Sequence, residues 1–311
     1  MARIIVFGSG SWGSTFAHLL SQKNSVYLWG RDKEKILKYS RKGRNTDYLP
    51  SYKLCEDIHF CSDLNILKEK WDLAVFAVPA QSFRDFLQLL PGNILPRIPY
   101  INLAKGIELH SGKILSSVFI EKFPHLKSQY CCLSGPNLAE EILQGKPASA
   151  VLASFNAKLA RDLSSDLSFS LFRIYASVDI QGVEIAGAVK NIFAIASGIC
   201  EGLNLGVNAR AALLARSLAE LMRFGRKFGG KPSTFYGLSG IGDIMATCFS
   251  PLSRNFRTGL KLAEHREIDD IIKELGSVAE GVATTKITNK ISKKMGIYQI
   301  LPSLRERYDF I

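Results

Sequence analysis

Residues 2–20 read ARIIVFGSGSWGSTFAHLL. An apolar run at 4–7 breaks into Gly8-Ser-Gly10-Ser-Trp-Gly13 and then resumes as an amphipathic stretch. That order predicts a strand, a tight turn and a helix. In Gly8-x-Gly10-x-x-Gly13 the first glycine makes the turn, the second lets a pyrophosphate approach the backbone, and the third lets the helix pack on the strand. Unpaired N–H groups at the helix start, with its dipole, would hold the anion. The stretch therefore reads as a dinucleotide-binding loop.

The same alternation runs through the first half. Short β-rich runs stand at 3–8, 25–30, 72–78, 100–104, 130–135 and 149–154, separated by helical stretches at 14–22, 33–42, 82–90 and 111–123. Strands that are apolar throughout, with amphipathic helices between them, predict a parallel sheet covered on both faces. The expected fold is α/β, with an N-terminal doubly wound sheet of the Rossmann type. Several runs end in Gly or Pro, which puts loops at the carboxyl ends of the strands, where such sheets bind ligands. Over 179–228 the texture changes to long helices with closely spaced small residues. The expected organisation is a dinucleotide-binding domain over 1–178 and an all-helical substrate and catalytic domain over 179–311.

The 311 residues carry a net charge of +12, with five His and six Cys. The cationic residues are scattered, Lys33, Lys35, Lys38, Arg41, Lys42 and Arg44 being the densest run. Neither a basic helix nor an aromatic-and-basic RNA motif is present, so the charge favours a small phosphate-bearing molecule over a nucleic acid. No cysteines have Cys-x-x-Cys spacing and no histidines have ligand spacing, so no metal site is expected. The cysteines are expected to be buried free thiols in a reducing compartment. The N-terminus lacks the order of a signal peptide and no apolar run approaches membrane-spanning length, so the protein is expected to be cytoplasmic, without a membrane partner.

At the end of the second β-rich run, Arg31 follows Gly30 and Asp32 comes only afterwards. An acidic residue there grips the adenosine ribose, whereas an arginine pairs with a 2′-phosphate. The reading slightly favours NADPH and leaves NAD open. Residues 185–199, IAGAVKNIFAIASGI, hold a single charge, Lys190. A helix this apolar is buried, and a buried ammonium is costly unless it is paired. Burial lowers a lysine pKa and a nearby carboxylate restores it, which suits proton transfer; a lysine snorkelling out at a helix edge is the plain alternative. Residues 237–259, GLSGIGDIMATCFSPLSRNFRTG, then offer Asp243 among glycines and Ser253, Arg254 and Asn255 in succession. A hydroxyl, a guanidinium fork and an amide make a phosphate-binding inventory.

These blocks resemble the bacterial-type NAD(P)-dependent glycerol-3-phosphate dehydrogenases. The resemblance covers almost the whole chain, through GSGSWGSTFA (8–17), DYLP (47–50), AVPAQ (77–81), NLAKGIE (102–108), LSGPNLAEE (133–141), AGAVKNIFAIASGI (186–199), GLNLGVNARAALLARSLAEL (202–221), TFYGLSGIGDIMATC (234–248), SRNFRTG (253–259) and VAEGVATTK (278–286). Thr46 stands where the family usually has Pro, and Asn137 where Ser or Thr is frequent. The resemblance implies reduction of dihydroxyacetone phosphate to sn-glycerol 3-phosphate with NAD(P)H, for glycerophospholipid synthesis and without a metal. It implies Lys190 as the general acid/base. Beside Gly8, Gly10 and Gly13, it implies cofactor contacts at Ser11, Trp12, Arg31, Lys105, Ala139, Arg254, Val278 and Glu280. It implies substrate contacts at Lys105, Gly135, Asn137, Lys190, Asp243, Ser253, Arg254 and Asn255.

Two other functions compete. Another dehydrogenase of this architecture, of the 6-phosphogluconate or hydroxyacyl type, needs a His or a different Lys/Asn pairing in the second half, where His265 alone follows residue 125. A non-catalytic dinucleotide-binding protein has no use for Lys190 together with Asp243. The alanine-rich helices are compatible with a homodimer.

Overall fold

In the computed structural model, which describes residues 1–90, 96–275 and 280–295, Arg3–Phe7 form strand β1. Its residues are buried from Ile4 onward, the mark of a central strand. β2 (Ser25–Trp29) and β4 (Leu73–Phe76) flank it, both parallel, with Phe7 opposite Trp29 and Phe76. The remaining strands are β3 (Ile58–Cys61), β5 (Tyr100–Asn102), β6 (Tyr130–Ser134), β7 (Ala148–Ser154) and β8 (Phe172–Ser177). The sheet runs β3-β2-β1-β4-β5-β6-β7-β8. β2 with β3, β4 with β5, β5 with β6 and β7 with β8 are parallel as well. This is the doubly wound arrangement expected, with the edge strands β3 and β8 added to the six β-rich runs.

The chain divides into two units. The first holds Met1–Ala104, Val118–Leu133 and Asn137–Val178; the second holds Lys105–Ser117, Ser134–Pro136 and Asp179–Ile311. In the first, α1 (Ser11–Ser21), α2 (Lys33–Lys42), α3 (Phe83–Leu89), α5 (Ala139–Leu143) and α6 (Ala157–Asp166) alternate with the strands; α4 (Leu115–Lys122), which follows β5, has its first three residues in the second unit and the rest in the first. Ile4, Val6, Phe16, Leu28, Val75 and Ile101 belong to its central core. Burying each such side chain contributes about 1.5–3 kcal/mol.

The second unit is built on α7 (Ile180–Gly202), followed by α8 (Gly206–Lys227), α9 (Pro232–Phe235), α10 (Asp243–Cys248), α11 (Arg254–Ala263), α12 (Ile268–Glu274) and α13 (Glu280–Met295). Asp179 starts α7 as its N-cap, accepting from the Gly182 N–H at 3.0 Å. α8, α10, α11 and α13 all pack on α7. Two glycines let α7 and α11 touch backbone to backbone: a Cβ on Gly198 would overlap the Phe256 carbonyl, and one on Gly259 the Ile195 carbonyl.

Two expectations need correction. α7 is long and apolar enough to cross a membrane, with a mean hydropathy of 1.5, although no such run was expected; its apolar stretch is wholly buried as the core helix of its unit. Among the cysteines only Cys131, Cys132, Cys200 and Cys248 are buried, while Cys55 and Cys61 are partly accessible. All six are free thiols.

Candidate active site

The glycine loop divides its labour in a way the sequence pattern anticipates. Gly8 sits at φ +116°, a conformation open to glycine, and a Cβ there would press on the Ala77 carbonyl. A Cβ on Gly13 would overlap the Gly8 carbonyl, so this glycine serves close packing of helix on loop. A Cβ on Gly10 would meet nothing within 4 Å. Gly10 is the N-cap of α1 and supplies no side-chain cap, and the first turn carries no acidic residue. Ser11, Trp12 and Gly13 are thus first-turn residues whose N–H groups lack intrahelical acceptors. Open space beside an uncapped helix start fits the diphosphate of a dinucleotide. The buried indole N–H of Trp12 has no partner within the protein, which also fits a ligand at this loop.

At the carboxyl end of β2, Arg31 is exposed. Asp32 is committed elsewhere: it caps α2, accepting from the Lys35 N–H at 3.1 Å. Its Oδ1 is thus engaged by the helix it begins. Asn137 and Ala139, the latter opening α5, belong to the same unit as the loop. Val278 lies outside the described residues.

In the second unit Lys105, Gly135, Lys190 and Asp243 come together. The Lys190 ammonium donates to Asp243 Oδ1 and, at 2.7 Å, to Thr247 Oγ1. Lys105 Nζ donates to Asp243 Oδ2 at 2.8 Å and to the Gly135 carbonyl at 3.3 Å. Thr247 passes its own proton to the Asp243 carbonyl at 2.6 Å, so its oxygen is turned toward Lys190. Ser134 Oγ lies 3.5 Å from Asp243 Oδ2. Lys190 and Asp243 are 7% and 1% exposed, so their charges are held almost without water.

Local sequence explains this placement. Gly237, Gly240 and Gly242 allow the widened turn of Leu238–Gly242 that delivers Asp243 to the start of α10. A Cβ on Gly240 would overlap the backbone of Phe235. Gly187, one turn before Lys190, clears room for Ser134: a Cβ there would stand 2.7 Å from Ser134 Oγ, while 3.5 Å from Lys105 Cγ is ordinary contact.

Burial pushes the Lys190 ammonium down to about 8; Lys105 adds to the lowering and Asp243 opposes it. Burial alone would raise the Asp243 carboxyl, but Lys105 and Lys190 together hold it below the ordinary carboxylate range. Two ammoniums share one carboxylate, so the cluster carries a net positive charge. It can attract an anion and deliver a proton near neutral pH.

Ser253, Arg254 and Asn255 open α11. Ser253 Oγ caps the helix, accepting from the Phe256 N–H at 3.3 Å. Arg254 is exposed at the first helical position. Asn255 is more structural than its residue type suggests: it donates to Asn191 Oδ1 at 2.9 Å and accepts from the Gly281 N–H at 3.1 Å. It thereby ties the neighbour of Lys190 to the start of α13, where Glu280 sits. Sequence reasoning missed Thr247 and Asn191, yet both carried a signal. Thr247 follows Asp243 at the i,i+4 spacing that shares one helix face, and Asn191 adjoins the lone lysine. Among the described residues no cluster of His, Cys, Asp or Glu suits a metal ion.

Comparison with known proteins agrees with this geometry. Residues 3–160 match the family model for the NAD-dependent glycerol-3-phosphate dehydrogenase N-terminus, and residues 179–309 the model for its C-terminus. A glycerol-3-phosphate dehydrogenase [NAD(P)+] of Prosthecochloris aestuarii is 42% identical over 296 residues, covering 94% of this chain and 89% of that protein. One from Carboxydothermus hydrogenoformans is 39% identical, covering 95% and 88%. The crystal structure of glycerol-3-phosphate dehydrogenase from Coxiella burnetii superposes with a TM-score of 0.92 at 33% identity, covering 100% of this chain and 95% of that one.

Proposed function

This chain belongs to the NAD-dependent glycerol-3-phosphate dehydrogenase family, and from that premise we propose how its own residues reduce dihydroxyacetone phosphate to sn-glycerol 3-phosphate. It is an NAD(P)-dependent oxidoreductase acting on a small phosphate substrate. When bound, the nicotinamide supplies the hydride. Lys190 supplies the proton that the resulting alkoxide oxygen needs, and in the reverse direction it takes that proton from the substrate hydroxyl. General acid action of this kind is worth roughly 10²–10⁴ in rate.

The observation carrying this reading is the buried Lys190 ammonium, fixed by Asp243 and Thr247 with its pKa lowered to about 8. Asp243 keeps the lysine charged, and Lys105 adds positive charge where negative charge develops on the substrate oxygen. Ser253, Arg254 and Asn255 bind the phosphate at the start of α11, joined by Gly135 and Asn137 on the substrate side. The segment 1–178 is the dinucleotide domain, with contacts from Ser11, Trp12, Arg31 and Ala139, and 179–311 is the substrate and catalytic domain. Lys105, Arg254, Val278 and Glu280 complete the cofactor contacts. Arg31, with Asp32 engaged as a cap, supports NADPH as the preferred cofactor. The enzyme works in the cytoplasm, as a homodimer, on behalf of glycerophospholipid synthesis, with neither nucleic acid nor membrane as partner.

The test is nicotinamide absorbance with dihydroxyacetone phosphate and each reduced cofactor. Lys190→Ala is expected to lose at least about 10²-fold in kcat, while KM for the cofactor scarcely changes. Near-normal turnover by the folded variant overturns the assignment.

A further inference from the structure

Asn45, in the segment between α2 and β3, has no accessible surface. Its amide is fully used. Nδ2 donates to the Ser9 carbonyl at 2.8 Å and to Ser14 Oγ at 2.8 Å. Oδ1 accepts from the N–H groups of Asp47 at 3.3 Å and Tyr48 at 3.2 Å. Two donors meet two acceptors and the carbonyl oxygen meets two donors, so only one orientation of the amide satisfies all four. Two of these partners belong to the glycine loop and the helix it opens: Ser9 lies between Gly8 and Gly10, and Ser14 lies in α1.

We infer that Asn45 is a positioning residue for dinucleotide binding, clamping the glycine loop with its Gly10 N–H aimed at the phosphate side. The reason is peptide geometry. In a trans peptide the C=O and the following N–H point in opposite directions, and among the described residues there is no cis peptide bond. A Ser9 carbonyl held toward Asn45 therefore turns the Gly10 N–H away from it. Without the clamp, a loop of three glycines has more freedom to lose on binding than any other kind of chain. An arrangement fixed in advance spares the ligand that cost. The segment carrying Asn45 is itself anchored to the helix that follows Arg31, since Lys35 and Lys38 of α2 pair with Asp47 at 3.0 and 3.3 Å. Asn45 thus links the phosphate loop to the adenosine side of the same unit.

The inference rests on the glycine loop being the dinucleotide site. The test titrates the full-length protein with NADH and with NADPH, following quenching of tryptophan fluorescence, for Asn45→Asp, Asn45→Ala and Gly10→Val. Asn45→Asp keeps an oxygen for Asp47 and Tyr48 but sets a second oxygen against the Ser9 carbonyl. Its Kd for both cofactors is expected to rise about tenfold, the decade that corresponds to 1.4 kcal/mol. KM for dihydroxyacetone phosphate is expected to stay put. Asn45→Ala should weaken both cofactors at least as much. A merely structural role lowers the melting temperature while leaving Kd of the folded variants unchanged, and that result overturns the inference. Gly10→Val separates the two readings. If it abolishes binding while the Asn45 variants bind normally, Asn45 alone is misassigned; if it binds normally, the loop reading fails and the inference with it. Should neither Asn45 variant fold, Ser14→Ala carries the test: it removes one of the two acceptors and should raise Kd about threefold, roughly half a decade. An unchanged Kd there also overturns the inference.

Discussion

Asp243→Asn keeps the size of the side chain at the start of α10 but leaves Lys105 and Lys190 without the carboxylate they share. Burial already holds Lys190 at about 8, with Asp243 resisting the lowering. A charge pair about 4 Å apart at an effective dielectric of about 20 is worth about 4 kcal/mol. At 1.36 kcal/mol for each pKa unit, its loss moves Lys190 further down, well below neutral pH. At pH 7 roughly one lysine in a hundred then keeps its proton. With Lys190 as the proposed proton donor, reduction requires its protonated form, so kcat/KM for dihydroxyacetone phosphate is expected to drop about 10²-fold at pH 7 and to recover as the pH falls toward 5. In the unaltered enzyme the same limb is expected near 8, with reduction holding below it and falling above. Oxidation needs the neutral lysine, so its profile is reversed and the variant should be comparatively spared at pH 7. Profiles of kcat/KM in both directions, with melting curves on the same preparations, decide the matter. A limb that stays near 8 in the variant, or a loss equal at every pH, refutes the claim that Asp243 tunes Lys190.

Arg31→Asp places a carboxylate where a 2′-phosphate would lie; losing a hydrogen bond between charged groups costs about 1.5–3 kcal/mol. The NADPH/NADH ratio of kcat/KM should therefore fall more than about tenfold, and an unchanged ratio would make Arg31 a bystander. Gly259→Ala drives a methyl into the Ile195 carbonyl of α7. It should cost about 1–3 kcal/mol, seen as a lower melting temperature. The His18 ring is half-buried, and its Nδ1 accepts from the Cys55 N–H at 3.0 Å, which requires the neutral form. Burial lowers its pKa below the ordinary 6.5. The stability it contributes is therefore present above about 6.5 and is lost as the pH falls through the lowered value. His18→Gln should flatten this acid limb in melting curves taken from pH 7 downward.

The strands that could be read from the sequence are the ones buried on both sides, such as β4 and the part of β1 beyond Arg3, where every inward and outward position is apolar. β3 and β8 escaped for one physical reason: they are the two ends of the sheet. β8 alternates buried Phe172 and Ile174 with exposed Arg173 and Tyr175, and β3 places exposed His59 beside buried Ile58. Neither presents a continuous apolar run. Helix α1 starts at Ser11, three residues earlier than expected, because glycines in its first turn look like loop. Lys190 was legible as the single charge of an apolar helix, and Asp243 stood out among its glycines. The Lys105–Asp243 contact was not, since 138 residues separate the partners and no local pattern links them. Asn45 was invisible for a related reason: a polar residue in a loop announces nothing until its four partners are seen.

The second unit draws on three separate stretches of chain, and the short ones supply much of its interior. Lys105, Ser134 and Gly135 reach the lysine–aspartate cluster, Ile107 and Ile114 enter the core around α7, and Ser116 donates to buried Glu184 at 3.0 Å. A gene fragment beginning at residue 179 would lack all of these. It would bury Lys190, Asp243 and Glu184 with part of their compensation missing, and leave apolar surface on α7 uncovered. During synthesis the early segments must wait, unpaired, until α7 and α10 emerge. The lysine–aspartate cluster therefore cannot close before α10 has been made, which ties the proposed proton transfer to the folding of both ends of the chain.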